Sequence, residues 1–257
     1  MHSEKSGAST KPFNKFHIFK IMRQKVIWVS GSSSGIGREI AKEFSKAGHK
    51  VAVTARRKND LAKLVNEIRS EGGIASAFIC NVMSGKSVIS TFKKITEDLG
   101  KVDCLVNNAG TTVFKSFTDT SISDYDNVLN TNLRGAFLCI KSVLPEMLTK
   151  KKGHIINVLS VAANTAFENS SVYAASKAAL LAMSNSLRSE VRSKKIKVSN
   201  ILPGAVETEM WDKKSIEQFG HKMMQPIDIA KIVLTVFNQP DRVLIEDIIV
   251  RPEFGDL

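Results

Sequence analysis

A chain of 257 residues that is 43% hydrophobic and 24% charged holds enough apolar material for the core of one α/β domain. Cys80, Cys104 and Cys139 are too few and too scattered for a disulfide framework or a metal set, and they read as small apolar residues in a reducing, cytoplasmic setting. No apolar run approaches the ~20 residues that span a bilayer, and a net charge of +12 suits either a solvated surface or the attraction of anions such as a phosphorylated cofactor, an acyl-carrier protein or nucleic acid.

Residues 1–21 are rich in Ser, Lys and Phe without a period, and are expected to form an extension, with Met22 as an alternative start. Residues 22–257 are expected to form the domain. Val26-Ile27-Trp28-Val29-Ser30 is a short β-rich run that feeds Gly31-Ser32-Ser33-Ser34-Gly35-Ile36-Gly37, after which residues 38–44 take a helical period. Strand, glycine-rich turn and helix together are the context a dinucleotide motif demands: glycines admit a pyrophosphate to the backbone, and the helix start offers free N–H groups.

Residues 50–54 form a second strand, whose end is where an acidic residue would bind the ribose hydroxyls of NAD. Ala55 stands there instead, followed by Arg56 and Arg57. Two guanidiniums without a carboxylate suit a 2′-phosphate, and so NADP(H). A helix over 61–69, a strand over 74–79 running into Cys80-Asn81-Val82, and a helix over 84–99 follow. A strand over 102–106 then leads to Asn107-Asn108-Ala109-Gly110, whose amides suit contact with a cofactor or a plain turn. One long helix is expected over 123–149, with Ser123 as its N-cap and Asn132 in its interior.

The run Ile155-Ile156-Asn157-Val158-Leu159-Ser160 reads as a buried strand presenting a hydroxyl at its tip. In the helix over 172–192, Tyr173 and Lys177 fall four residues apart and so share a face. An ammonium there lowers the phenol pKa from about 10 towards working pH. Such a tyrosine passes a proton to a carbonyl oxygen, and the Ser160 hydroxyl holds that oxygen. After a strand over 198–202 come Pro203-Gly204-Ala205-Val206-Glu207-Thr208, a weakly patterned stretch expected to be a mobile lid (about 206–224), a helix over 226–237 and a strand over 243–250. Alternating strands and helices give a doubly wound, Rossmann-like parallel sheet with helices on both faces and ligands at the carboxyl ends of the strands.

Taken together, Ser30-Gly31, Gly35-Ile36-Gly37, Asn107-Asn108-Ala109-Gly110, Asn132, Ser160, Tyr173 with Lys177, and Pro203-Gly204 resemble the short-chain dehydrogenase/reductase family over about 24–252. The resemblance implies Tyr173 as general acid or base, Lys177 also on the nicotinamide ribose, Ser160 on the substrate oxygen, and Asn132 holding a water linked to Lys177. It implies a cofactor contacted by Gly31, Ser33, Ser34, Gly35, Ile36, Gly37, Arg56, Arg57, Asn81, Val82, Asn108, Ala109, Gly110, Pro203, Gly204, Val206 and Thr208. It also implies a homodimer or homotetramer built through two long helices. Ser30 and Asn81 depart from the family's usual Thr and Asp, the latter a residue that holds the adenine amino group. The tail over 243–252 is similar to the branch of 3-hydroxy-acid and serine dehydrogenases.

The function expected is NADP(H)-dependent interconversion of a carbonyl and an alcohol, on a small 3-hydroxy/3-oxo acid or a related compound. A 3-oxoacyl-carrier-protein reductase, which would meet its acidic carrier through the basic surface, is the alternative within the enzyme class. A non-catalytic NADP-binding regulatory protein is the alternative outside it. Nucleic-acid binding has only net charge behind it, without interleaved aromatics; no membrane or metal partner is expected. Specificity is expected from Val161, Ala162, Asn164 and Phe167 and from Val206, Met210, Trp211 and Phe219, a partly apolar set.

Overall fold

The structure is a computed structural model, and it describes residues 24–256; the expected extension over 1–21 lies outside them. Seven strands form one parallel sheet in the order β3-β2-β1-β4-β5-β6-β7. They are β1 (Val26–Ser30), β2 (Lys50–Ala55), β3 (Ile74–Ile79), β4 (Cys104–Asn107), β5 (Gly153–Val158), β6 (Ile196–Pro203) and β7 (Asp247–Val250). The order reverses between β1 and β4, and the crevice outside the strand ends at that reversal is where this architecture takes ligands.

Strand pleating explains the two cores. Ile27 and Val29 of β1 point to one face, with Ile40 and Phe44 of α1 (Gly35–Lys46), Leu61 and Leu64 of α2 (Lys58–Ser70) and Ile229 and Val233 of α8 (Pro226–Phe237). Val26 and Trp28 point to the other, with Ile95 of α3 (Gly85–Asp98), Cys139 and Met147 of α5 (Gly135–Lys150) and Val191 of α6 (Ser171–Val191). Each such fully buried side chain contributes roughly 1.5–3 kcal/mol.

Several expected boundaries change, among them α2, which starts at Lys58, β4, which is Cys104–Asn107, and β6, which is Ile196–Pro203. The helix expected over 123–149 is three pieces: α4 (Ile122–Leu129), a π-helical turn (Asn130–Arg134) and α5. Apolar spacing keeps its period on both sides of the wider turn, so the sequence pattern runs through it. The N-cap is Ser121, not Ser123: its hydroxyl accepts from the Asp124 N–H at 3.1 Å while the Asp124 carboxylate accepts from the Ser121 N–H at 3.0 Å. The last strand, expected over 243–250, begins only at Asp247, where its register with Asn200 of β6 starts. The 206–224 excursion carries α7 (Lys213–Phe219) and is closed at its root by a bridge between Val206 and Met224.

Inside the sheet a row of amides crosses four strands in register. Asn107 of β4 donates to Asn157 of β5 (2.9 Å), Asn157 donates to Asn200 of β6 (3.1 Å), and Asn200 donates to Asp247 of β7 (2.8 Å). Arg188 of α6 closes the row on Asp247 at 2.7 Å.

Candidate active site

The carboxyl ends of β1, β2, β4, β5 and β6 open into a cleft of about 760 Å³. One wall is the turn after β1. Gly31 has φ +67, and a Cβ there would lie 2.6 Å from the Ala109 Cα; only glycine fits such a left-handed position against a crossing backbone. Ser30 fastens this turn to the end of β4: its hydroxyl accepts from the Asn108 and Ala109 N–H groups, each at 3.1 Å. The Asn108 amide donates back to the Ser30 and Gly31 carbonyls at 3.1 and 3.0 Å. Both expected amides therefore frame the site: Asn108 lines the cleft with its side chain spent on the turn, and Asn107 is buried in the strand row.

Of the expected cofactor residues, Gly31, Ser33, Ser34, Gly35, Ile36, Arg56, Arg57, Asn81, Val82, Asn108, Ala109, Gly110, Pro203, Gly204, Val206 and Thr208 line the cleft, as do Tyr173 and Lys177. Gly37 does not. It packs under the turn, where a Cβ would lie 2.3 Å from the Asn108 amide nitrogen. The Asn81 side-chain oxygen accepts from the Met83 N–H at 3.1 Å, so it shapes the loop after β3.

At the end of β2, Arg57 donates to the Ser33 hydroxyl (3.0 Å), the Ser34 hydroxyl (2.7 Å) and the carboxylate of Glu209 (3.0 Å). The guanidinium gathers two serine hydroxyls and the Glu209 carboxylate, and that carboxylate stands in for an anion. This donor set fits the phosphate of a phosphorylated dinucleotide, and no acidic side chain stands at Ala55 to oppose it.

The other wall comes from β5 and α6. Ser160 follows the tip of β5 and caps a short 3₁₀ turn, accepting from the Ala162 N–H at 3.1 Å. Ser160 and Tyr173 both line the cleft. Lys177 lies below, buried, donating to the Val158 carbonyl at 3.0 Å, with its Nζ 5.6 Å from the centre of the Tyr173 ring. Burial holds the Lys177 pKa down at about 8.

The expected lowering of the Tyr173 pKa is corrected by this packing. Burial pushes the phenol up, and the neighbouring Ser160 hydroxyl offsets only part of that. An ammonium that is itself poorly solvated and more than a hydrogen bond away does not win against desolvation.

Asn132 does not line the cleft. Its side chain is 1% exposed, accepts from the Thr111 N–H at 2.8 Å, and donates to the Thr111 carbonyl and the Ser176 hydroxyl, each at 2.9 Å. It joins the loop after β4 to α6 beside Lys177, and Ser176, which the sequence reading passed over, is the other half of that joint. The Ser176 hydroxyl donates in turn to the Tyr173 carbonyl at 2.7 Å. The signal for it was its position, one residue before Lys177 on a buried helix face.

At the mouth, Phe114 and Trp211 stack, ring centres 5.4 Å apart. Val161, Ala162, Phe167, Val206, Met210 and Trp211 line the cleft as expected for specificity; Asn164 and Phe219 do not reach it. Phe114, Thr112, Glu168, Glu209 and Asp256 line it without having been expected. Among the described residues no group of three His, Cys, Asp or Glu comes together to hold a metal, and no helix is long and apolar enough to cross a membrane.

The family model described as short chain dehydrogenase matches residues 25–218. The chain belongs to the short-chain dehydrogenase/reductase family. Among members, it is 34% identical over 239 residues to a sepiapterin reductase of Chlorobaculum tepidum, covering 90% of this chain and 98% of that one. A metagenomic short-chain oxidoreductase solved in complex with NADP superposes with a TM-score of 0.79 at 29% identity, covering 89% and 96% of the two chains. The closed form of a serine dehydrogenase complexed with NADP+ gives 0.82 at 28% identity, covering 87% and 93%.

Proposed function

We propose that this short-chain dehydrogenase/reductase is an NADP(H)-dependent oxidoreductase that interconverts a carbonyl and an alcohol. The observation that carries the reading is that Ser160, Tyr173 and buried Lys177 line one cleft, with Arg57 at its far end. NADPH, when bound, supplies the hydride. The Ser160 and Tyr173 hydroxyls hold the carbonyl oxygen, and as that oxygen gains charge Tyr173 gives it the phenolic proton. Lys177 sits where its ammonium offsets the charge left on the phenolate. The raised phenol pKa keeps that proton in place at neutral pH, which suits the reductive direction. Asn132 and Ser176 act as positioning residues that fix α6 against the loop after β4.

The lining supports a substrate other than a small anionic acid. The cations that line the cleft are Lys177, Arg56 and Arg57, and the arginines stand at the dinucleotide end. The mouth instead offers stacked Phe114 and Trp211, Phe167 and Met210, with the carboxylates of Glu168 and Asp256. That set suits an uncharged, partly flat carbonyl compound over a 3-oxo acid. Ile122 (78% exposed), Tyr125 and Phe137 are large apolar side chains left exposed on α4 and α5, which supports assembly into a homo-oligomer through these helices.

The test is cofactor oxidation by the purified protein against a carbonyl panel of 3-oxo acids, 3-oxoacyl thioesters and flat aromatic ketones, with NADPH and NADH in parallel. Turnover is expected with NADPH above NADH, and Tyr173→Phe should lower it by about 10²–10⁴-fold. Binding of NADPH without turnover of any carbonyl would favour a regulatory protein, and a rate that collapses with added salt only for carrier-bound thioesters would favour the carrier-protein reductase.

A further inference from the structure

The ion pair between Arg57 and Glu209 spans 152 positions of sequence and joins the end of β2 to the 206–224 segment. Glu209 is a peculiar resident there. Its carboxylate takes Arg57 Nη1 at 3.0 Å, and this contact, with the Ser34 hydroxyl nearby, pulls its pKa below the ordinary carboxylate range. Ser33 and Ser34 present their hydroxyls to the same guanidinium. Asp60 also pairs with Arg57, but on the Nε side (3.0 Å) and from the same helix, three residues on. Only Glu209 reaches the guanidinium from the other side of the cleft, and its side chain is 67% exposed, so it leaves at little cost in burial.

The backbone around Glu209 is a single tight turn. Thr208 lies against Gly35 of the phosphate-facing turn, and the Trp211 N–H donates to the Thr208 carbonyl at 3.2 Å. Trp211 in turn stacks on Phe114 at the substrate mouth. The Trp211 indole N–H also donates to the Val206 carbonyl at 3.0 Å, which ties ring and backbone into one 206–211 turn, so a movement of that turn carries Glu209 and Trp211 together.

We propose that Glu209 is a cofactor-selecting residue: its carboxylate holds the anion seat of Arg57, Ser33 and Ser34 until the 2′-phosphate of a phosphorylated dinucleotide displaces it, and the displacement moves Trp211 at the substrate mouth. The proposal rests on the NADP(H) reading above. One anion seat does not hold two anions at full strength, so the resident carboxylate weakens 2′-phosphorylated ligands alone. A ligand lacking that phosphate leaves the pair intact and the mouth as it is. The substrate end thereby responds to which dinucleotide is bound.

The experiment uses the full chain and two fragments without nicotinamide, 2′,5′-ADP and 5′-ADP, titrated calorimetrically and by tryptophan emission. The chain has two tryptophans, and Trp28 is fully buried in the sheet, so a ligand-dependent change reports Trp211. Wild type is expected to prefer 2′,5′-ADP and to change its emission with that fragment only. Glu209→Gln is expected to bind 2′,5′-ADP about two- to fivefold tighter, to leave 5′-ADP unchanged, and to lose most of the emission change, because no ion pair remains to break. Unchanged or weaker 2′,5′-ADP binding by Glu209→Gln would overturn the displacement. An emission change equal for both fragments would overturn the link to Trp211. Wild type binding both fragments equally would remove the NADP(H) reading itself, an outcome separate from the other two.

Discussion

Around Gly31 the cleft wall is strand and helix fastened by Ser30 and Asn108 through four hydrogen bonds of 3.0–3.1 Å. Around Trp211 it is an excursion from β6, rooted by one bridge and reaching across to Phe114 by a ring stack and to Arg57 by an ion pair. The first wall joins four hydrogen bonds to a glycine that leaves no room for a Cβ. The second consists of contacts each worth little alone and open to exchange. The first wall frames the turn after β1, and the second reaches both the phosphate end of the cleft, through Glu209, and its mouth, through Trp211.

The comparison breaks most sharply at Gly31. Gly31→Ala forces an L side chain to φ +67 and into Ala109, which should cost roughly 2–5 kcal/mol and be read as a lowered unfolding midpoint together with lost dinucleotide binding. If the variant folds and binds as wild type does, the rigid wall is not rigid. Trp211→Ala should have a smaller and different effect. KM for the carbonyl should rise about two- to tenfold with kcat nearly kept, the pattern of lost uniform binding, while NADPH affinity changes little. A fall in kcat alone would place Trp211 in the chemistry. The mildest test sits between the walls, at Lys177. Its pKa is lowered to about 8, so the ammonium is present below that pH and lost above it. Reductase kcat should therefore decline as pH rises through about 8, by a few-fold, and a profile flat to pH 10 would show that the charge is not needed.

How much of this was legible follows the same division. β1, its glycine turn, β3 and α8 have local causes: a β-branched run in β1, a short Ile- and Phe-bearing run after Gly72-Gly73 in β3, a turn that requires glycine, and a proline at a helix start. Their bounds in the structure are those read from sequence. The π-helical turn at Asn130–Arg134 was not legible, because one extra residue per turn leaves the flanking apolar period intact. The direction of the Tyr173 shift was misread because pairing with Lys177 shows in the i,i+4 spacing, whereas desolvation depends on what the rest of the chain packs overhead. Glu209 against Arg57 and Phe114 against Trp211 depend on the path of a segment with no strong pattern. Such pairs become visible only once the chain is folded.

The amide row from Asn107 to Asp247 also carries a sense of direction. Every amide gives its hydrogen towards β7, and the row ends on a carboxylate, which can only receive. The orientation of three buried side chains is thus dictated from the edge of the sheet, and the oxygen of Asn107 is left at the head with nothing to accept from. Slipping any of these strands by one residue would turn its member of the row to the opposite face and strand its neighbours, at about 1–3 kcal/mol for each group left unpaired. The row works as an alignment key, setting β4, β5 and β6 level so that the loop after β4, Ser160 and Pro203 emerge at one height.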